Sequence, residues 1–457
     1  MASGNGSTNG SGTYFPNVDP VKYAGPDSRD VLAFRFYDKE AVILGKKMKD
    51  WLRFSVCFWH TFRGSGADPF GRPTITRHFE GDDGTDSMEN ALRRVEAAFE
   101  LFTKLGVEYY SFHDVDVAPE GATMAETHAN LEKVTDRMLE LQKETGVKLL
   151  WGTANLFSHP QYMNGAATNP DPLVFMRAAT QVKFAMDATH KLGGEGFVFW
   201  GGREGYMHIL NTDMVQEMNN YARMLKLAIA YKEKIGFSGQ ILVEPKPREP
   251  MKHQYDYDVQ TVIGFLREHG LETDVRLNVE PNHTQLAGHE FEHDIVLAAK
   301  LGMLGSIDAN TGSESLGWDT DEFITDQTRA TMLCKVIIEM GGFQQGGLNF
   351  DAKVRRESTD LEDFFIAHVA SMDALAKGLR NAARLISEGH LSSMLEERYA
   401  GWASSLGTQI GSGELPLDRI AEMYTTVHEH EERNGKAHGT TSAKQEKFIA
   451  VFNHYIS

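Results

Sequence analysis

Cysteine is almost missing from this 457-residue chain, which has only Cys57 and Cys334. Two thiols cannot make the disulfide framework of a small secreted protein. Both fall in apolar runs, where a free thiol behaves as a small buried hydrophobe, so a reducing compartment, the cytoplasm, is the expectation. Basic charge is also short: 46 Lys and Arg stand against 64 Asp and Glu, a formal net charge of −18. That argues against nucleic acid or an anionic membrane as partner, since phosphate binding needs a basic face. No apolar run nears the roughly 20 residues a membrane helix requires. Residues 1–13 form a Gly/Ser/Asn tail without the basic and apolar regions of a secretory leader, and their composition predicts disorder. The chain has no P-loop, no dinucleotide fingerprint behind its first strand and no nucleophile elbow. Gly64 to Gly71 contains glycines but neither the Lys nor the helix start of a phosphate cradle.

The chain does contain a regular alternation. Short apolar runs of the kind buried on both faces of a parallel sheet occur at residues 53–58, 109–112, 147–151, 196–199, 240–243, 275–279, 304–307 and 348–350. Between them lie stretches of helical periodicity, the clearest at 91–105, 124–145, 172–192, 214–235, 259–269, 295–301 and 327–340. Several open on a capping residue, such as Asp213 or Asp258, and several stop at Gly106, Gly146 or Gly236. Eight such units predict an α/β fold, a (β/α)8 TIM barrel. The expected organisation is a tail at 1–13, an N-terminal extension at 14–50 with a short helix near Ala41 to Trp51, and a catalytic barrel at 51–385. Broken helical pieces follow at 386–457, read as an arm that packs on another subunit or, alternatively, as a cap on its own barrel.

The polar residues of interest fall where those strands end. Glu244, Glu280, Asp308 and Asp351 close the fifth to eighth runs, His283 lies three residues past Glu280, and Asp319 and Asp321 follow within the seventh unit. Any one of these carboxylates could be a helix cap or a salt-bridge partner. The set, converging at one barrel mouth, would repel itself without a cation. Hard oxygen donors with one imidazole suit Mg²⁺, Mn²⁺ or Co²⁺, and Glu280 is placed to bridge two of them. His113 ends the second run with Asp116 three residues on, a spacing that either orients a proton-transferring imidazole or satisfies a structural one. Lys246 could stabilise an oxyanion or pair with a ligand carboxylate. Trp59, Phe70, Phe157 and Trp200 lie at or after strand ends, where they pack a core or wall a dry pocket for the apolar faces of a sugar.

Eight motifs carry a resemblance: Phe112-His-Asp-Val-Asp116, Thr153-Ala-Asn-Leu-Phe157, Phe199-Trp-Gly-Gly-Arg-Glu204, Val243-Glu-Pro-Lys-Pro247, Asn278-Val-Glu-Pro-Asn-His283, Ser306-Ile-Asp-Ala-Asn310, Gly317-Trp-Asp-Thr-Asp-Glu-Phe323 and Asn349-Phe-Asp-Ala-Lys353. From about Tyr14 onward the chain resembles the xylose isomerases, of the longer type with an extra N-terminal segment. The resemblance implies interconversion of D-xylose and D-xylulose, and of D-glucose and D-fructose, by ring opening and a metal-assisted 1,2-hydride shift. It implies two divalent cations per subunit: Glu244, Glu280, Asp308 and Asp351 would hold one, and Glu280, His283, Asp319 and Asp321 the other. His113, held by Asp116, would act at the ring oxygen, and Lys246 on the O1 side. Trp59, Thr153, Phe157 and Trp200 would line the sugar site, and Phe70 would enter from a neighbouring subunit of a homotetramer. The chain departs from the family after Asn310, where Thr311-Gly-Ser313 replaces Arg or Gln, Gly, Asp. Pro281 also stands where a small residue is commoner, which should stiffen the turn.

Two other enzyme classes and a binder compete. A metal-dependent phosphoesterase would want basic residues and more His at the mouth. A sugar epimerase differs in product stereochemistry. A non-catalytic sugar or cation binder would leave His113 and Lys246 superfluous.

Overall fold

Why eight strands close is visible in their burial. In the computed structural model, which describes residues 13–68, 70–433 and 442–456, the strands are β1 (Phe54–Cys57), β2 (Tyr109–His113), β3 (Lys148–Thr153), β4 (Gly196–Trp200), β5 (Gln240–Glu244), β6 (Val275–Val279), β7 (Leu304–Asp308) and β8 (Leu348–Phe350). Each is almost wholly buried, as a strand covered on both faces must be. Each pairs in parallel with its sequence neighbour, and β8 pairs with β1, so the barrel leaves no open edge. The barrel interior holds Tyr109, Leu150, Trp151, Val198 and Leu242, with Trp59 packed against them.

Register sets which polar residues face one another above that core. His113 pairs with Thr153, Trp200 with Glu244, and Asp308 with Asn349.

The outer ring consists of α1 (Met88–Leu105), α2 (Met124–Thr145), α3 (Pro172–Lys191), α4 (Met214–Ile235), α5 (Val259–His269), α6 (Pro281–Leu286), α7 (His293–Lys300), α8 (Gln327–Glu339) and α9 (Leu361–Glu388). Asp213 and Asp258 cap α4 and α5 by accepting backbone N–H groups. Gly106, Gly146 and Gly236 take left-handed conformations that end α1, α2 and α4. Three features differ from the sequence expectation. Helical turns at Phe58–Arg63 and Asp114–Val117 follow β1 and β2 directly, and α6 starts at the end of β6. The segment near residue 41 is not one helix but a hairpin, Val42–Ile43 against Lys46–Lys47, before a helix at Met48–Leu52. Leu44 and Gly45 both have positive φ, 49° and 83°, the turn that β-branched flanks favour over a continued helix.

The chain divides into two compact units, Met1–Gly378 and Leu379–Ser457. In the second, α10 (His390–Tyr399), α11 (Ser405–Gly411), α12 (Leu417–Arg433) and α13 (Gln445–Asn453) carry the helical pieces. The Tyr455 hydroxyl donates to Glu388, and Lys444 pairs with Glu397 at 2.8 Å. The side chains of His428, Glu429, His430 and His438, which resemble a weak metal tract, lie outside the described residues. Among the described residues no helix is long and apolar enough to cross a membrane.

Candidate active site

A layer of amides and hydroxyls sits beneath the carboxylates. The Asn278 amide donates to Glu244 at 3.0 Å and to Asp308 at 2.6 Å, and the Asn349 amide donates to Asp308 at 2.8 Å. The Ser55 and Ser111 hydroxyls donate in turn to Asn349 Oδ1, which fixes the amide's orientation. Asn310 donates to Glu280 Oε1 at 2.8 Å and to the Asp351 carbonyl at 2.6 Å. These groups come from β1, β2, β6 and β8 and, for Asn310, from the chain just past β7, so the strand register itself aims the acids upward.

On this layer Glu244, Glu280, Asp308 and Asp351 each bring one oxygen within 4.8 Å of the others. Glu280 also converges with Asp319 and Asp321, and with Glu244 and His283, on the same scale. His283 is presented by α6, which opens on Pro281; a proline at the first helical position is already set in helical φ. Its Nδ1 lies 3.0 Å from the Pro245 carbonyl and its Nε2 3.2 Å from Glu280 and from Asp319. Asp321 holds a left-handed backbone, φ 44°, rare for a residue with a Cβ and characteristic of functional positions. Its carbonyl accepts from the Lys353 amide and the Arg355 guanidinium, each at 2.9 Å.

The acids and a ring of aromatics enclose a cavity of about 230 Å³. Trp59 packs on His113 at 4.6 Å between centroids, His113 on Phe157 at 5.6 Å, and Phe157 on Trp200 at 4.5 Å. The Trp59 indole donates to Asp351 Oδ1 at 2.7 Å. The indole N–H groups of Trp151 and Trp200 are buried without a partner among the described residues. His113 Nδ1 lies 2.9 Å from Asp116 Oδ2, so the second ring nitrogen is left for the cavity. Lys246 Nζ lies 2.5 Å from Asp319 Oδ2 and 5.2 Å from the Trp200 ring. The Thr153 hydroxyl donates to the Val198 carbonyl at 2.6 Å.

Of the residues singled out from the sequence, all but three line this cavity. Asp308 lies beneath it and Asp116 behind His113. Phe70 does not join it: the ring is 83% exposed and rests 5.8 Å from Trp318. Sequence reasoning missed His60, Asn278, Asn310 and Asn349. His60 Nε2 sits 2.9 Å from Asp351 and 3.3 Å from Asp321; its place one residue beyond Trp59, just past β1, was the available signal. A larger open groove of about 710 Å³ lined by residues 26–36 and by α8 and α9 residues lacks such chemistry, because its Asp373 is satisfied by the backbone amides of Arg35, Phe36 and Tyr37.

The electrostatics identify what the cluster needs. Burial first, then mutual repulsion, pushes the carboxyls of Glu244, Glu280 and Asp308 well above the usual carboxylate range. Burial would raise Asp319 as well, but the Lys246 ammonium and His283 hold it well below. For His60, burial opposes the charged form, yet Asp321 and Asp351 carry its pKa up to about 9. Every cation that reaches the acids is drawn in, as expected of a donor set built for positive charge. Seven acids and imidazoles of this geometry fit hard divalent cations, and Glu280 is shared by three of the converging groups. The departure at Thr311-Gly-Ser313 leaves the loop ordered. The Thr311 hydroxyl and the Gly312 amide both donate to Gln285 Oε1 at 3.0 Å, and Arg329, from α8, donates to Thr311 at 2.6 Å.

The family described as XylA2 C-terminal domain matches residues 395–456. A xylose isomerase of Arabidopsis thaliana is 51% identical over 444 residues, 96% of this chain and 90% of that protein. Xylose isomerases of Enterobacter sp. and of Bacteroides thetaiotaomicron are each 50% identical over 97% of this chain and 99% of their own. A solved L-ribulose 3-epimerase is similar at 13% identity and a TM-score of 0.49, over 74% of this chain and 98% of that one. With half its residues identical along nearly the whole length of these relatives, the chain belongs to the xylose isomerase family.

Proposed function

We propose that this protein interconverts D-xylose and D-xylulose, and by the same chemistry D-glucose and D-fructose. The observation that carries the reading is the carboxylate and imidazole cluster facing an aromatic wall across a sugar-sized cavity. Metal-reconstituted protein incubated with D-xylose should give D-xylulose. A C-epimer as sole product, or no conversion, would overturn the reading.

Two divalent cations, Mg²⁺, Mn²⁺ or Co²⁺, belong in the cluster. Glu244, Glu280, Asp308 and Asp351 would hold one, and Glu280, His283, Asp319 and Asp321 the other. When bound, such cations supply Lewis acidity toward the sugar oxygens.

The chain's own residues do the rest. His113, its Nδ1 engaged by Asp116, offers the other nitrogen to the ring oxygen of the closed sugar and assists opening. Lys246 binds the O1 end of the open chain. Thr153, whose hydroxyl proton is already donated to Val198, has lone pairs left to accept from a sugar hydroxyl. Trp59, Phe157 and Trp200 exclude water. In that dry pocket hydrogen moves from C2 to C1 with its electron pair while the O2 proton passes to O1, and no enediol is exposed to solvent exchange. Turnover in deuterated water should leave product C1 essentially unlabelled; extensive label there would rule out the hydride shift.

The same reading makes the protein a cytoplasmic homotetramer, with no nucleic-acid or membrane partner. Residues 14–50 are read as an extension of the barrel at 51–385 and 386–457 as an arm for subunit contacts; the tail expected at 1–13 lies, but for Thr13, outside the described residues. Phe70 enters a neighbouring subunit's sugar site, which is why it lies exposed in its own chain.

A further inference from the structure

We propose that His289, His293 and Asp294 form a cation site separate from the barrel mouth, suited to a borderline divalent ion such as Zn²⁺. One ligand atom from each lies within 4.8 Å of the other two. The local chain holds them there. Gly288, at φ 89°, reverses the backbone behind α6. The His289 amide donates to the Thr284 carbonyl at 3.2 Å and the His293 amide to the Glu290 carbonyl at 3.0 Å. Phe291, buried between them, anchors the loop.

Asp294 supplies the second, independent observation. The residue is only 3% exposed. Its Oδ2 accepts two long bonds, from the Val259 amide and the Thr284 hydroxyl, each at 3.4 Å. Its Oδ1 is buried and has no hydrogen-bond partner among the described residues. A buried carboxylate oxygen without a donor is costly and needs a reason. Here the carboxylate faces two imidazoles, and a cation shared among the three would supply one.

The surroundings match a metal-binding histidine. His289 Nε2 lies 3.2 Å from Asp258 Oδ2, which fixes the tautomer and leaves Nδ1 as the ligand nitrogen. A carboxylate behind the imidazole is the usual support for such a ligand. The two imidazole rings are stacked at 4.2 Å and 16°. His293 is exposed, and one of its ring nitrogens lies within 4.8 Å of an Asp294 oxygen. The N-terminal dipole of α7 opposes a cation, but Asp258 and Asp294 together outweigh it. Two nitrogens and one oxygen, with water as the fourth donor, select Zn²⁺, Co²⁺ or Ni²⁺ over Mg²⁺. An ion there would tie the loop that follows α6 to the start of α7, with the start of α5 held through Asp258, and α6 carries His283.

The test uses the full chain in excess Mg²⁺. Wild type, His293→Ala and Asp294→Asn are dialysed to equilibrium against Zn²⁺ and the bound metal is counted. Ions taken up at the barrel mouth count equally in all three, so each variant should hold one Zn²⁺ fewer per chain. The Zn²⁺-dependent rise in Tm should shrink in both. If Asp294→Asn does not fold, His293→Ala decides alone, because that side chain is on the surface. Equal Zn²⁺ counts in wild type and His293→Ala would overturn the site and would mean that water satisfies Asp294. Isomerisation of D-xylose with Mg²⁺ is assayed separately and reports only on the barrel mouth.

Discussion

At the residue scale the cluster depends as much on the amides beneath the acids as on the acids themselves. Asn349 is the clearest case, because two hydroxyls orient it and it donates to Asp308. Asn349→Ala should weaken Mn²⁺ binding roughly 10- to 100-fold, the usual cost of losing a group that holds a ligand. Calorimetric titration of wild type and variant with Mn²⁺ measures this, and equal affinities would leave Asn349 with packing alone. Glu280→Ala should be more severe, since the shared acid is removed from both proposed cation sites. Activity should then be lost at every cation concentration rather than restored by excess.

At the element scale, the loop after β7 and the contact of α9 with β8 each hinge on one position. A Cβ on Gly312 would stand 1.6 Å from Asn282 Oδ1. Asn282 also donates to Asp319, so the displacement would be passed to a proposed cation ligand. Gly312→Ala should therefore lower affinity at the second cation site by about 10-fold or more, read by competition between Mn²⁺ and Mg²⁺, while β7 itself stays folded.

His368 of α9 packs edge-on against Phe350 of β8 at 5.4 Å, and its Nδ1 donates to the Phe364 carbonyl. Burial lowers its pKa to about 4. The folded pKa thus lies below the unfolded one. The neutral ring costs nothing above the ordinary histidine range, and stability is lost as pH falls from about 6.5 toward about 4. Between about pH 7 and pH 5 this single group should remove roughly 2 kcal/mol. Denaturation midpoints of wild type and His368→Leu at both pH values check it: the wild type should lose ground to the variant on acidification. A constant difference would mean that the imidazole is not buried in its neutral form.

At the scale of the whole molecule, the exposed Phe70 ring is the test of assembly. If it completes a neighbour's sugar site, Phe70→Ala should reduce kcat/KM for D-xylose roughly 10-fold or more, about the cost of one lost aromatic wall, with Mn²⁺ affinity unchanged. Dilution below the oligomer's dissociation range should reproduce the loss in wild type. A variant with full activity, or a fully active monomer in sedimentation, would sever the sugar site from the assembly.

The sequence by itself determined the barrel, because period and burial are local. Runs such as Gly196–Trp200 are short and apolar throughout, as strands covered on both faces are, and the caps at Asp213, Asp258 and Gly146 mark where helices begin and end. It also marked the acids proposed as cation ligands, since Glu244, Glu280, Asp308 and Asp351 each stand at or just past the end of a strand. Only the tertiary structure decided what lies between elements. The amides of Asn278, Asn310 and Asn349 sit beside the acids because of the register of β6, β7 and β8, and register is a property of pairs of strands. His60 reaches Asp351 across the β8–β1 closure, far away in sequence. The pairing of His289 with Asp258 and the unpartnered oxygen of Asp294 arise where the starts of α5 and α7 meet the loop that follows α6, and no pattern within a single segment encodes that.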